Sequence, residues 1–403
     1  WIFDQGHEIG RIAQDLVPGG EEVLYGQKAE TAARTEELLP ERKPIYEASF
    51  LVDGAYCRVD VLRPAPGTSW DVLEVKSGTS IREQNIDDIA FQVFCLQRAC
   101  LDVNRAYLVH VDSSYIRQGP IDPQGLLEVC DVTEAAFERR ERVASLLEAM
   151  QDVLTGSEPR IAIGPHCTDP FECPLKARCW EHLEPDGPTT LHRAGKKVFD
   201  WLARGYERTV DVAQSELTPK QIVQRDADRK GTIQVHHHGV QRWLQGIEFP
   251  IVHLDFEAMA PAVPLLDGTR PYESGAVQEA VDVMPSTSAA PYHREFLWAD
   301  RSDPRPGLIA FLESLPDRGT VLAWHASYER QILHGLFEFS SSSAIVSLLD
   351  RLQDLEDPFR SFDVYHPEQR GRTSIKSVLP ALGGAPYEDG ISGGMEADRK
   401  STR

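Results

Sequence analysis

The 403-residue chain predicts a two-domain α/β protein, and three observations carry that expectation. Its length exceeds what one ordinary hydrophobic core accommodates. Between Asp60 and Lys76, apolar and polar residues alternate on both sides of a Pro-Ala-Pro-Gly turn, which is the pattern of two neighbouring antiparallel strands. From Phe249 onward, three strand-like runs give way to alternating helix and strand, a second α/β order.

The first strand pair carries the chemistry. It reads Asp60-Val-Leu-Arg, the turn, then Trp70-Asp-Val-Leu-Glu74-Val-Lys76. Side chains at i and i+2 of a strand share a face, so Glu74 and Lys76 point the same way, and pairing across the turn brings Asp60 beside them. Two carboxylates can hold a hard divalent cation, and a neighbouring ammonium can orient water or steady developing phosphorane charge. Three charges in so apolar a strand are costly to bury without such a purpose. A helix over Ser80–Cys100 follows from Ile86, Ile89, Val93 and Leu96, and it carries Gln92.

Seven cysteines are scattered too widely for a disulfide framework and point to a reducing cytoplasm. Cys57, Cys95, Cys100 and Cys130 lie in apolar patterns and read as small buried hydrophobes. Cys167, Cys173 and Cys179 differ: five residues separate each from the next, in a loop broken by Pro165, Pro170 and Pro174. Three thiolates are one short of the four that zinc or a cubane cluster needs, and His166 is an alternative fourth ligand for zinc.

The polar stretch Glu181–Leu191 marks a domain exit, with helical patterns at Gly195–Gly205 and Thr218–Asp226 and a solvated connector at His236–His238. Then Phe249-Pro-Ile-Val-His-Leu-Asp255-Phe-Glu257 runs an apolar strand into two carboxylates on one face. Strands over Gly275–Val283 and His293–Asp300 come next, then a helix at Pro306–Leu315 and a buried strand at Gly319–His325. Helices over Ser327–Phe337, Ala344–Leu355 and Ser374–Leu382 complete the pattern.

Glu47-Ala-Ser-Phe, Cys57-Arg-Val-Asp60 and Glu74-Val-Lys76-Ser77 together resemble the PD-(D/E)XK core of RecB-family nucleases. The resemblance implies that Asp60 and Glu74 bind Mg²⁺ or Mn²⁺, that Lys76 assists the attacking water, and that Gln92 supports the site. That family's Gln-x-x-x-Tyr is here Gln92-x-x-x-Leu96. Its early helical His falls at Gly10 of Gly6-His-Glu-Ile-Gly10, with His7 on a different helical face. The cysteine triplet resembles the iron–sulfur staple of such nucleases, implying a 4Fe-4S cluster on Cys167, Cys173 and Cys179, with the fourth Cys expected upstream of Trp1.

The C-terminal part resembles the RNase H-like fold of DEDD exonucleases. Asp255 and Glu257 match the first motif, and His325-Ala-Ser-Tyr-Glu329 puts Glu329 where an Asp is usual. Asp363 matches a recurrent Asp before the last helices. Glu396 falls where the final acid belongs, without the usual His or Tyr base. Together the two parts are similar to bacterial RecB-type nucleases that join both domains. The expected organisation is a PD-(D/E)XK restriction-endonuclease-like domain at 1–185, a helical connector at 186–248, and an RNase H-like mixed-sheet domain at 249–403.

That resemblance implies a metal-dependent nuclease acting on nucleic acid, with DNA as the expected substrate, in repair or defence. The alternative is a nucleic-acid-binding or accessory subunit of a helicase or CRISPR-type assembly, with one or both nuclease sites inactive. The net charge of −21 argues against broad, non-specific adhesion to nucleic acid, though acidic metal sites contribute to it. No apolar run approaches 18 residues, so no membrane span is expected.

Overall fold

The computed structural model describes residues 2–299 and 302–385. Glu396 lies outside them. The described chain is mixed α/β and divides into two compact units, residues up to Pro159 together with Met259–Gly275, and Arg160–Ala258 together with the chain from Ala276. No described helix is long and apolar enough to cross a membrane.

The first unit contains α1 (Ile2–Gln14), β1 (Glu21–Glu22), α2 (Lys28–Leu38), β2 (Ile45–Val52), β3 (Ala55–Pro64) and β4 (Trp70–Lys76). After these come α3 (Glu83–Arg98), β5 (Val103–Val111), α4 (Pro123–Leu126), β6 (Leu127–Asp131), α5 (Thr133–Arg140) and α6 (Val143–Thr155). The six strands lie in chain order. Neighbours β2–β3, β3–β4 and β5–β6 are antiparallel, whereas β4 and β5 run parallel because α3 crosses between them. The expected apolar stripe of α3, Ile86, Ile89, Val93 and Leu96, packs on one face of the sheet. On the other face, Ile9 and Ala13 of α1 cover Val61, Leu73, Val109 and Val111. With both faces covered, β4 is buried from Trp70 through Glu74.

The second unit opens with the cysteine loop, followed by α7 (Lys176–Cys179), α8 (Lys197–Ala203), α9 (Pro219–Lys230), β7 (Gln234–Val235) and α10 (His237–Leu244). Its main sheet contains β8 (Ile251–Met259), β9 (Gly275–Met284), β10 (Tyr292–Leu297), β11 (Thr320–Ala323) and β12 (Leu352–Asp354), in the order β10-β9-β8-β11-β12. Strands β8, β11 and β12 are mutually parallel, and β10 is antiparallel to β9. Helices α11 (Arg305–Glu313), α12 (Ser327–Ser340) and α13 (Ser343–Arg351) supply Leu308, Leu312, Ile332, Leu333, Ile345 and Leu348 to the core against Val252, Leu254 and Phe256. The last described elements of the unit are α14 (Asp357–Arg360), β13 (Val364–Tyr365), paired with β7, and α15 (Ile375–Ala381).

Four boundaries or placements differ from the sequence expectation. The first unit stops at Pro159 rather than 185, because Ile163 and Trp180 of the cysteine loop pack with Leu191, Val198, Phe199 and Trp201 of the supposed connector. The second unit is interrupted: Ala262 and Val263, between β8 and β9, are buried in the first unit's core beside Ile9 and Val109. The helix expected through Leu355 ends at Arg351, because Leu352–Asp354 is drawn into pairing with Val321–Ala323. Cys100 is exposed rather than buried, following the end of α3 with φ +64°.

The inserted segment gives a direct test. Val263→Asp buries a charge that has no counterion in that core, so it is expected to lower stability by several kcal/mol. Urea unfolding followed together with proteolysis of residues 1–159 measures this. A segment acting only as a linker would leave both unchanged.

Candidate functional site

In the first unit, strand register brings the acids together. Val61 pairs with Leu73 and Leu62 with Val72, so Asp60 and Glu74 stand at one level of β3 and β4. The pairings Tyr46–Val61 and Ala48–Val59 put Glu47 of β2 at the same level. Regular pairing between β3 and β4 stops at Val61 and Leu73, and the freed Val75 N–H donates to Asp60 Oδ2 at 2.6 Å. The strand expectation of one shared face for Glu74 and Lys76 holds in the contacts: Lys76 Nζ donates to Glu74 Oε1 at 2.6 Å.

Helix α3 supplies the remaining grip. Gln92 Nε2 donates to Glu74 Oε2 at 2.6 Å, and the Asp88 carboxylate pairs with Lys76 from one turn earlier. Glu74 and Gln92 are both buried. Burial pushes the Asp60 carboxyl up to about 6, with the Glu47 charge adding to the effect against the Val75 N–H. Burial, then the charges of Asp60 and Asp88, hold Glu74 well above the ordinary carboxylate range. For Lys76 burial acts downward, but the carboxylates of Glu74 and Asp88 outweigh it and raise the ammonium's pKa. Lys76 therefore stays charged at neutral pH. Glu47 adopts φ +57°, a left-handed conformation costing a non-glycine residue about 1–2 kcal/mol, and its carboxylate accepts from Arg58 Nε at 2.9 Å.

These groups open onto a cleft of about 440 Å³. Asp60, Val75, Lys76, Ser77 and Glu47 form its floor, while Gly6, His7, Gly10, Arg11 and Gln14 of α1 form a wall. His7 thus lines the cleft, although helical phase alone places it on another face from Gly10; two glycines at one helix surface leave room for the side chains around them. Glu47, His7 and Arg11 are the cleft residues that spacing alone did not select. Glu47 shared a motif with the strand pair, but its level beside Asp60 is a product of register. The Tyr272 hydroxyl, from the inserted segment, donates to the Ser77 carbonyl at the cleft's edge.

In the second unit, Asp255 and Glu257 lie on β8 and Glu329 in the first turn of α12. Asp255 raises the pKa of both Glu257 and Glu329 through its charge, so the three share one electrostatic neighbourhood. Glu329 is buried, its Oε2 has no hydrogen-bond partner, and burial pushes its carboxyl up to about 7. A fourth acid was missed. Glu279 of β9 is fully buried with neither carboxylate oxygen in a well-formed hydrogen bond, and burial followed by the Asp255 charge pushes it up to about 9, against the pull of the Asp255 backbone N–H. The sequence held a signal, since Glu279 falls in phase with core residues Val281 and Val283 on an alternating strand.

Asp363 is not part of this group. Its carboxylate takes His236 Nδ1 at 2.8 Å and the Ser361 hydroxyl at 2.9 Å, which also makes His236 a structural partner rather than a free connector residue. Asp354, which touches Glu329 electrostatically, is engaged by Arg360 and by the backbone N–H groups of His325 and Glu356.

The poorly satisfied oxygens of Glu279 and Glu329, and the buried acids Asp60 and Glu74 at one strand level, suit a bound divalent cation. The cysteine loop does not fit a cluster in the same way. Cys167 is buried, Cys173 half-buried and Cys179 exposed, and the three thiols are not gathered into one coordination sphere among the described residues. They are also one short of four, and no chemical step is routed through them. Residues 252–374 match a family model described as a domain of unknown function, DUF2779. That span includes Asp255, Glu257, Glu279, Glu329 and Asp363. No curated protein matches the chain.

Glu279 makes stability depend on pH. Its folded-state pKa of about 9 lies above the 4.5 of a free glutamate, so its contribution is intact below about pH 4.5 and is lost as pH rises towards 9. At pH 7 the deficit is on the order of 3 kcal/mol. In EDTA, Glu279→Gln is expected to stabilise the protein at pH 7–8 and to flatten the pH dependence between 5 and 9. Urea midpoints across that range decide the matter; parallel curves for both proteins would show that Glu279 is solvated or paired.

Proposed function

We propose that the first unit is a metal-dependent phosphodiesterase that cleaves nucleic acid, with DNA as the first substrate to test. One observation carries the reading: Asp60 and Lys76 line the floor of a cleft, and Glu74, buried at the same strand level, grips Lys76, with Gln92 and Asp88 fixing the side chains. The PD-(D/E)XK motif resemblance covers the same residues.

Asp60 and Glu74 would hold Mg²⁺ or Mn²⁺. Such an ion, when bound, polarises the scissile phosphate and lowers the pKa of water. Lys76 is a permanent cation here, so its role is to orient the nucleophilic water and stabilise charge on the phosphate rather than to remove a proton. Gln92 is a positioning residue. Its amide holds one Glu74 oxygen while Lys76 holds the other, which fixes the carboxylate's plane. Arg11, with His7 as a neighbouring hydrogen-bonding group, stands where a polyanionic backbone would enter the cleft, a local cation on an otherwise acidic chain.

For the second unit, the strand order β10-β9-β8-β11-β12, with Asp255 and Glu257 on the central strand, supports the RNase H-like DEDD reading. Its acids would hold a cation too, but Glu279 and Glu329 are poised to be protonated near neutral pH without one. The departure from the usual motif, Glu329 in place of Asp, favours a second role, in which this unit binds nucleic acid or serves a helicase or CRISPR-type assembly and cleaves slowly.

The decisive assay is full-length protein with Mn²⁺ on end-labelled single- and double-stranded DNA. Glu74→Ala is expected to abolish cleavage while retaining the far-UV circular dichroism of the parent. Lys76→Ala should lower kcat ~10²-fold or more with Mn²⁺ affinity changed far less. Gln92→Ala should weaken Mn²⁺ binding ~10–100-fold, with partial rescue at high Mn²⁺. Full cleavage in Glu74→Ala would assign the activity elsewhere, and its disappearance on adding Asp255→Ala would assign it to the second unit. Absence of cleavage by the parent, with nucleic acid still bound, would support the accessory role.

A further inference from the structure

Away from both carboxylate sites, three side chains of unlike chemistry already meet in a coordination-like arrangement. Strands β5 and β6 pair with His110 opposite Glu128, and Cys130 follows Glu128 by two residues, which puts it on the same face. His110 Nε2 lies 3.7 Å from Cys130 Sγ and 3.7 Å from Glu128 Oε2, and Cys130 Sγ lies 3.7 Å from Glu128 Oε1. One ligand atom from each residue falls within 4.8 Å of the other two. For tetrahedral zinc with ordinary Zn–N, Zn–S and Zn–O bonds, ligand-to-ligand edges are about 3.3–3.6 Å. The His–Cys edge is already close to this, and placing one Glu128 oxygen on both other ligands closes an edge of at most 4.8 Å.

The histidine is aimed independently of the other two. His110 is buried, and its Nδ1 stands 3.2 Å from the Val111 carbonyl, a contact in which only a ring N–H can donate. The proton therefore sits on Nδ1 and the Nε2 lone pair faces Cys130 and Glu128. A backbone carbonyl holding one ring nitrogen while the other is presented to a cation is the usual outer support of a metal-bound histidine. Cys130 makes long sulfur hydrogen bonds to His110 and Glu128, but the His–Glu separation of 3.7 Å is too long for a hydrogen bond, so direct pairing leaves that edge unexplained.

The geometry points to a zinc site formed by His110, Glu128 and Cys130, with its fourth position open to solvent. Imidazole and thiolate select Zn²⁺ over Mg²⁺ and Mn²⁺, which separates this site chemically from the carboxylate groups. Strand β6 is the edge of its sheet and its Val129 is exposed, so a bound ion would clip that strand to β5.

The test uses the metal-stripped full chain, titrated with Zn²⁺ by native mass spectrometry and calorimetry. The parent is expected to bind one equivalent more than either Cys130→Ala or His110→Ala, and Zn²⁺ should raise the thermal midpoint of the parent but of neither variant. Glu128→Gln changes an exposed side chain, leaves the fold intact, and should weaken that equivalent at least tenfold. Cys173→Ala should retain it, separating the site from the cysteine loop. Equal stoichiometry in the parent and Cys130→Ala, with Glu128→Gln affinity unchanged, would overturn the assignment. So would loss of the same equivalent in Cys173→Ala.

Discussion

Asp60 and Glu74 are two carboxylates held at one level of adjacent strands inside a covered sheet, and the surrounding structure serves to keep them there. Like charges at such range in a low-dielectric interior repel strongly, and each also loses its hydration. Three contacts offset this: the Val75 N–H to Asp60, and Lys76 and Gln92 to the two oxygens of Glu74. The first exists because β3 and β4 part just where the acids stand, leaving a backbone donor without a strand partner. The others depend on α3 crossing the sheet in a phase that turns Asp88 and Gln92, four residues apart, towards β4 while Ile86, Ile89 and Val93 face the core. The apolar packing of α3 is therefore also what aims the polar contacts.

The second unit manages its acids differently, and the contrast separates structural carboxylates from poised ones. Asp354 and Asp363 accept from Arg360, His236, a hydroxyl and backbone N–H groups, so both are accounted for by the fold. Glu279 and Glu329 retain buried oxygens with no well-formed hydrogen bond. Buried polar groups in folded proteins are nearly always paired, so unpaired ones mark where a proton or a cation completes the structure. This is why Glu279, which no motif selected, belongs with Asp255 and Glu329, whereas Asp363, which a motif did select, does not.

Chain connectivity adds a further constraint. Residues 259–275 leave β8, contribute Ala262 and Val263 to the first unit's core, place Tyr272 against the Ser77 carbonyl beside Lys76, and return as β9. The first cleft is therefore incomplete as a contiguous N-terminal stretch. The cysteine loop crosses the expected boundary in the opposite sense, packing Ile163 and Trp180 with Phe199 and Trp201. In both cases a few apolar side chains decide domain membership, and polar linker composition is a poor guide to where they dock.

By itself the sequence determined the α/β class, the β3–β4 pair and α3 of the first sheet, most elements of the second, and the trio Asp60, Glu74 and Lys76. Those features are local: alternation with period two, apolar spacing along a helix, and side chains two apart on one strand are settled by backbone geometry within a few residues. Tertiary structure alone decided that Glu47 shares a level with Asp60, that His7 and Arg11 wall the cleft, that Glu279 is orphaned, and that Asp363 is spoken for. It also decided that Cys130 faces His110 and Glu128, where its apolar strand suggested a buried filler. Each of these depends on strand register or on which element packs across a face. Register is set by the sum of many weak apolar contacts far apart in the chain, and no short stretch of residues encodes that sum.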